Sequence, residues 1–92
     1  MNNEFIDAMK HLQLLKSEDY NNGKQFSTIE DASKMANITV EQGFMFMINL
    51  KVLRLNTLVN KDDVNFESFN DSLIDLANYS NGLYDYKKKE NM

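Results

Sequence analysis

The chain has 92 residues, 42% of them hydrophobic, with six Phe, four Tyr, one His, no Cys, no Pro and a net charge of −4. That describes one domain near the lower end of what folds alone, too aromatic for a disordered chain. The missing Cys and the single His11 exclude a disulfide scaffold, a thiolate zinc site, a cysteine nucleophile and a multi-histidine metal site within one chain.

No apolar run approaches the roughly 18 residues of a membrane-spanning helix, and "MNNEFIDAMK" does not read as a signal peptide. The expectation is a cytoplasmic protein that does not enter a membrane. A general nucleic-acid binder carries a basic face, and here the basic residues are scattered apart from Lys87 to Lys89. No nucleic-acid partner is expected. An acidic chain is suited instead to docking on a basic host protein. Thirteen Asn and nine Lys suggest an AT-rich genome, such as that of a phage or a low-GC bacterium.

With three Gly and no Pro, strand punctuation is scarce, and the apolar spacing is helical throughout. The spacing predicts an all-α fold, a compact bundle of about four helices in a single domain, 1–92. The first helix runs from about Asn3 to Ser17, with Phe5, Met9 and Leu12 on one face. "EDYNNGKQF" follows as a loop. "STIE" at 27–30 has the form of a capping box and opens a short second helix, which ends at "ANI", 36–38.

Thr39 and Gln42 form a second capping box, ahead of a helix that reaches Val59. From Phe44 to Leu58 this third helix is apolar in nearly every direction, and a helix apolar all round is buried all round. In so short a chain that predicts cover from its own chain and from a partner chain, hence a homo-oligomer. Gly43 in its first turn weakens the helix relative to Ala but allows a close approach by another backbone. The fourth helix runs from about Phe66 to Tyr86, with Phe66, Phe69, Leu73, Leu76, Ala77 and Leu83 as its apolar stripe. Residues 86–92 read as a frayed polar tail.

Chemistry concentrates at three places. Lys51 and Arg54 lie among the apolar side chains of the third helix, where a cation must reach water, meet an acid or hold a ligand anion. A phosphate is one such anion, matched by the fork of Arg and the point charge of Lys. On the fourth helix Glu67, Asp71, Asp75, Asn78 and Gly82 share a face opposite the apolar stripe. They read as a solvated acidic side, as oxygen ligands for Mg²⁺ at Asp71 and Asp75, or as acceptors for the two cations. In the "DYNNGKQF" loop Tyr20 either packs the loop down or borders a ligand pocket. No P-loop, dinucleotide fingerprint or nucleophile elbow is present.

In order, "KSEDYNNGKQF", "ITVEQGFMFMINLKVLRL" and "ESFNDSLIDLANY" resemble the small MazG-like helical proteins of phages and prophages that are labelled nucleotide-modification-associated. The resemblance covers residues 12 to 84 and rests chiefly on "KVLRL" and "DSLIDLANY". It implies an all-α fold related to the all-α NTP pyrophosphatases, dimeric or tetrameric. Those enzymes hold Mg²⁺ between a Glu-x-x-Glu pair and a Glu-x-x-Asp pair. Here Asp71 takes the place of the second pair's Asp, Ser68 stands where its Glu belongs, and no Glu-x-x-Glu occurs.

The expectation is therefore nucleotide binding with weak or absent pyrophosphohydrolase activity, since a metal clamp needs several convergent carboxylates. Lys51 and Arg54 would meet phosphate, beside Asp71, Asp75, Asn78 and Tyr20. The alternative expectation is a small acidic phage interaction protein that inhibits a host enzyme or defence factor.

Overall fold

The computed structural model describes residues 3–19, 27–61 and 66–91, without the side chains of 13–19, Ser27, Phe66 and Glu67. Tyr20 with its loop therefore lies outside the described residues, as do the Ser27 and Glu67 side chains. Four helices follow in order: α1 (Glu4–Asp19), α2 (Ser27–Met35), α3 (Val40–Val59) and α4 (Phe66–Glu90). No strand occurs among the described residues, and no described helix is long and apolar enough to cross a membrane. The fold is all-α, as the apolar spacing predicts.

Helix α3 packs most extensively on α4, α2 covers part of α3, and α1 lies on α4. The 25 residues of α4, at ~1.5 Å of rise each, account for most of the 42 Å long axis. Local chemistry sets the junction between α2 and α3. Asn37 adopts φ 58°, the left-handed conformation that Asn tolerates. That lets the Ile38 N–H donate to Ser33 O at 3.0 Å and the Asn37 N–H to Lys34 O at 3.1 Å, a Schellman ending for α2. Two residues on, the Gln42 N–H donates to Thr39 Oγ1 at 3.1 Å, and the Thr39 N–H donates to Gln42 Oε1 at 2.9 Å. The capping box expected at Thr39 is formed in both directions.

The short turn folds α2 back onto the first turns of α3. Gly43 is buried there, and a Cβ built on it would overlap the Ser33 Oγ and stand 3.2 Å from the Ser33 Cβ. The hydroxyl cannot easily turn away, because it donates to Ile29 O at 2.7 Å. The close approach at Gly43 is thus made by the Ser33 side chain rather than by the backbone expected there. Beside this contact a half-open apolar cleft of about 330 Å³ remains, between Ile29, Ala32 and Ala36 on one side and Gly43, Phe46 and Met47 on the other.

Helix α4 does not stop at Tyr86. It continues to Glu90, so residues 86–90 belong to the helix rather than to a frayed tail. Lys87 holds it in place through Glu41 Oε2 at 3.2 Å, in the first turn of α3, and through Glu90 at 3.3 Å in its own last turn. One residue earlier, Tyr86 packs on the fully buried Phe44, with ring centroids 6.4 Å apart.

These contacts shift three titrations. A backbone N–H and then the Lys87 ammonium hold the Glu41 carboxyl below its ordinary 4.5. Hydrogen bonds that the Lys87 ammonium donates to Glu41 and Glu90 raise Lys87 above 10.5. Burial, and then the charges of Glu90, Glu41 and Glu30, raise Tyr86 above 10.0.

Gly43→Ala is expected to lower stability by about 1 kcal/mol, although Ala favours a helix interior by ~0.5–1 kcal/mol elsewhere. Gly43→Ala combined with Ser33→Ala should recover most of that loss, read from urea denaturation of the double-mutant cycle. The contact between helix ends has its own pH signature. Because the folded Glu41 titrates low, its contribution is present above pH 4.5 and is lost as pH falls through its folded pKa. Because Lys87 and Tyr86 titrate high, theirs is present below about pH 10 and is lost as pH rises through the folded values. Thermal melts of the parent against Lys87→Met should show a gap at neutral pH that closes at both extremes.

Candidate functional site

Helices α3 and α4 meet along side chains spaced alternately three and four apart, the geometry of two helices lying nearly side by side. On α4 these are Ser68, Ser72, Asp75, Tyr79, Gly82 and Tyr86, every one buried or half-buried. On α3 they include Phe44, Lys51, Leu55 and Leu58, of which Phe44 and Leu58 are buried. Small side chains on α4 allow its backbone to come close, and the large ones of α3 fill the space. The apolar stripe read from the sequence, including Leu73, Leu76 and Leu83, is only half-buried and lies to the side of this seam.

This arrangement decides among the readings left open for the acidic face. The acidic side of α4 is not solvated along its length. Asp71 is exposed, but Asp75 is half-buried, and Asn78 and Gly82 are buried. The face turns inward because only its small and polar residues let two long helices approach.

Halfway along the seam Lys51 Nζ lies 2.9 Å from Asp75 Oδ2, with 24% and 18% of the side chains exposed. The lysine stem covers apolar surface while its head reaches the carboxylate. Asn78, one turn further along α4, is 2% exposed. Arg54 is exposed and makes no ion pair with any described residue. Asp71 lines a cleft of about 380 Å³ between α1 and α4, with Ala8, His11, Leu12, Ile74 and Asp75. Of the residues singled out from the sequence, the fold thus joins Lys51 to Asp75 and places Asp71 beside them at a cleft. Arg54 points to solvent one turn away.

Among the described residues the acids expected to hold Mg²⁺ are differently engaged: Asp71 is exposed and Asp75 is paired with a cation. The Asp75 carboxylate already holds a cation, the Lys51 ammonium. No group of three or more His, Asp or Glu converges among the described residues. A divalent ion draws on several oxygen ligands at once.

A second feature lies on the far side of α3. Phe46 and Leu53 are 61% and 62% exposed, and Leu50, Met45, Val52 and Val59 are exposed as well. Gln42, Asn49, Asn56 and Thr57 run among them. At 100° per residue these positions occupy about half the helix circumference, and none of them is charged. The expected cover from the same chain is therefore partial. The alternation of apolar and amide residues on α3 carries the signal for this face. The 3–4 spacing of Ser68, Ser72, Asp75, Tyr79 and Gly82 carries the signal for the α4 seam.

No family model matches the chain, and no match to it was found among curated proteins or solved structures.

Asp75→Asn is expected to lower stability by about 1–2 kcal/mol, because it leaves a half-buried ammonium against a neutral amide; partial exposure keeps the loss below that of a fully buried pair. Replacing both members, as Lys51→Met with Asp75→Leu, should restore stability to within about 1 kcal/mol of the parent. Chemical denaturation of the three variants measures both outcomes.

Proposed function

We propose that this chain acts by docking another polypeptide on the outer face of α3, as an interaction protein rather than a hydrolase. The observation that carries this reading is the exposure of Phe46 and Leu53 on a half-face without charge. Soluble monomers rarely leave a contiguous apolar patch of more than a few hundred Å² in water, and such patches mark association sites. Interface cores have the same character, depleted of charge and rich in aromatic side chains and Met. The acidic remainder of the chain suits a phage-type protein that occupies a surface of a host enzyme or defence factor. The MazG-like resemblance then describes a scaffold used for its shape.

One observation favours a second reading. Arg54 is exposed and free of described ion pairs, one turn from a lysine that Asp75 already orients. That pair of cations could hold the phosphate of a nucleotide-like ligand, as the resemblance implies. Thermal shift with nucleoside triphosphates, with and without Mg²⁺, tests it. Stabilisation that disappears in Arg54→Ala supports the second reading, and no shift with any of them removes it.

The docking reading makes a different prediction. Phe46→Glu with Leu53→Glu should keep the parent's helical circular dichroism and a stability within about 0.5 kcal/mol, as exposed positions do. Phe44→Ala, at a fully buried position, should cost about 3–5 kcal/mol. If the double glutamate variant unfolds, Phe46 and Leu53 belong to the single-chain core and the docking reading falls.

A further inference from the structure

We infer that the cleft between α1 and α4 is a binding site for a small alkylammonium ligand, with the ammonium on Asp71 and the hydrocarbon stem between the two helices. The site lies apart from the outer face of α3 and does not depend on docking there.

The chain itself shows how α4 takes such a group. At Asp75 the ammonium comes from Lys51 on α3, 2.9 Å from Oδ2, in a half-buried pair. A lysine is an ammonium on a four-carbon stem, and the stem covers apolar surface while the head meets the acid. Asp71 stands one turn before Asp75 on the same helix and lines the neighbouring cleft. It makes no ion pair or hydrogen bond with any described residue. From α1 the cleft receives Ala8, His11 and Leu12, and no Lys or Arg lines it. The place that Lys51 fills at Asp75 thus has no counterpart among the described residues at Asp71.

The walls fit the rest of the ligand. Ala8, Leu12 and Ile74 are apolar and half-buried. Ala8 to Leu12 and Asp71 to Asp75 each cover one helical turn, about 6 Å, which is comparable with a lysine stem. The cleft is half-open at about 380 Å³, near the lower end of sites that take small molecules. The His11 imidazole, in its neutral form, offers one nitrogen as a further acceptor.

Charge selects the sign of the ligand. The chain carries −4, and the ionisable groups that line the cleft are two aspartates and a histidine. A phosphate or carboxylate would meet Asp71 as a like charge. An alkylammonium gives Asp71 a charge-assisted hydrogen bond and gives Leu12 and Ile74 an apolar stem to cover.

Titration of the isotope-labelled full chain with n-pentylammonium, followed by amide NMR at about pH 8, tests this, because an alkylammonium keeps its proton there. Shifts should saturate with a Kd on the order of 1 mM, the range open to a ligand of so few atoms. They should centre on Ala8, His11, Asp71 and Ile74. Pentanoate should give none, and n-pentanol should bind about fivefold more weakly or worse. Asp71→Asn, at an exposed position, should keep the parent's helicity and weaken n-pentylammonium by about fivefold or more. Asp85→Asn removes an equal charge from an exposed position elsewhere on α4 and should leave the Kd unchanged. No saturable shift, shifts that centre instead on Ile29 and Ala32, or equal binding of n-pentanol overturns the site. A Kd that Asp71→Asn leaves unchanged, or that Asp85→Asn raises as much, overturns it too. If acetyl-lysine methylamide, blocked at both main-chain ends, binds more tightly than n-pentylammonium, the ammonium belongs to a protein side chain and the free ligand is overturned.

Discussion

Twelve of the twenty residues of α3 carry apolar side chains, spread around almost the whole circumference, and the described parts of three other helices do not enclose them. Every other feature of the molecule follows from how that helix is covered. Helix α4 takes one side along its length, α2 takes the first turns of another, and the remainder faces water. Among the described residues only Phe44 and Leu58 are apolar side chains buried in full. Small chains have little apolar area to bury, and this one leaves a large share of its supply on the surface. The hydrophobic effect thus supplies both the folding of the domain and a standing drive toward association.

Close packing on α3 explains which residues line the seam. A second long helix can approach only with small side chains, so Ser72 and Gly82 are buried and Leu73 and Leu76 are moved to the flanks. The same constraint recurs at the other contact, where Gly43 admits the Ser33 side chain. Two polar closures then position the helices along each other. Lys51 and Asp75 join them midway, and Glu41 and Lys87 join the start of α3 to the end of α4. Ion pairs of this exposure contribute modestly to stability. Their effect is on register, because sliding either helix by one turn would leave a half-covered ammonium without its acid.

That role bears on function. Asp75 completes an acid–base pair between helices, and among the described residues no three acids or His converge. The chemistry that remains available lies on the surface, in Arg54, in the cleft beside Asp71 and His11, and above all on the uncharged half of α3.

The sequence by itself determined the helices and their ends. Thr39 with Gln42, and Asn37 after α2, act through bonds between near neighbours, so their effect is readable without knowing the fold. It also determined that α3 is apolar on nearly every side, because all-round apolarity is a property of one helix. What faces what was decided only by tertiary structure. Periodicity sorted α4 into an apolar side and an acidic side, and left open whether the acids met water, a metal or the cations of α3. From Asp75 to Gly82 the acidic side turns inward, because the tightness of contact with α3 outweighs the apolarity of the competing stripe. The reach of α4 to Glu90 was hidden for a similar reason. "KKKE" looks like a solvated end until Glu41, 46 residues away in sequence, is placed beside Lys87. Interactions within one or two turns are written in local sequence, whereas those that join distant segments depend on how closely the helices can approach.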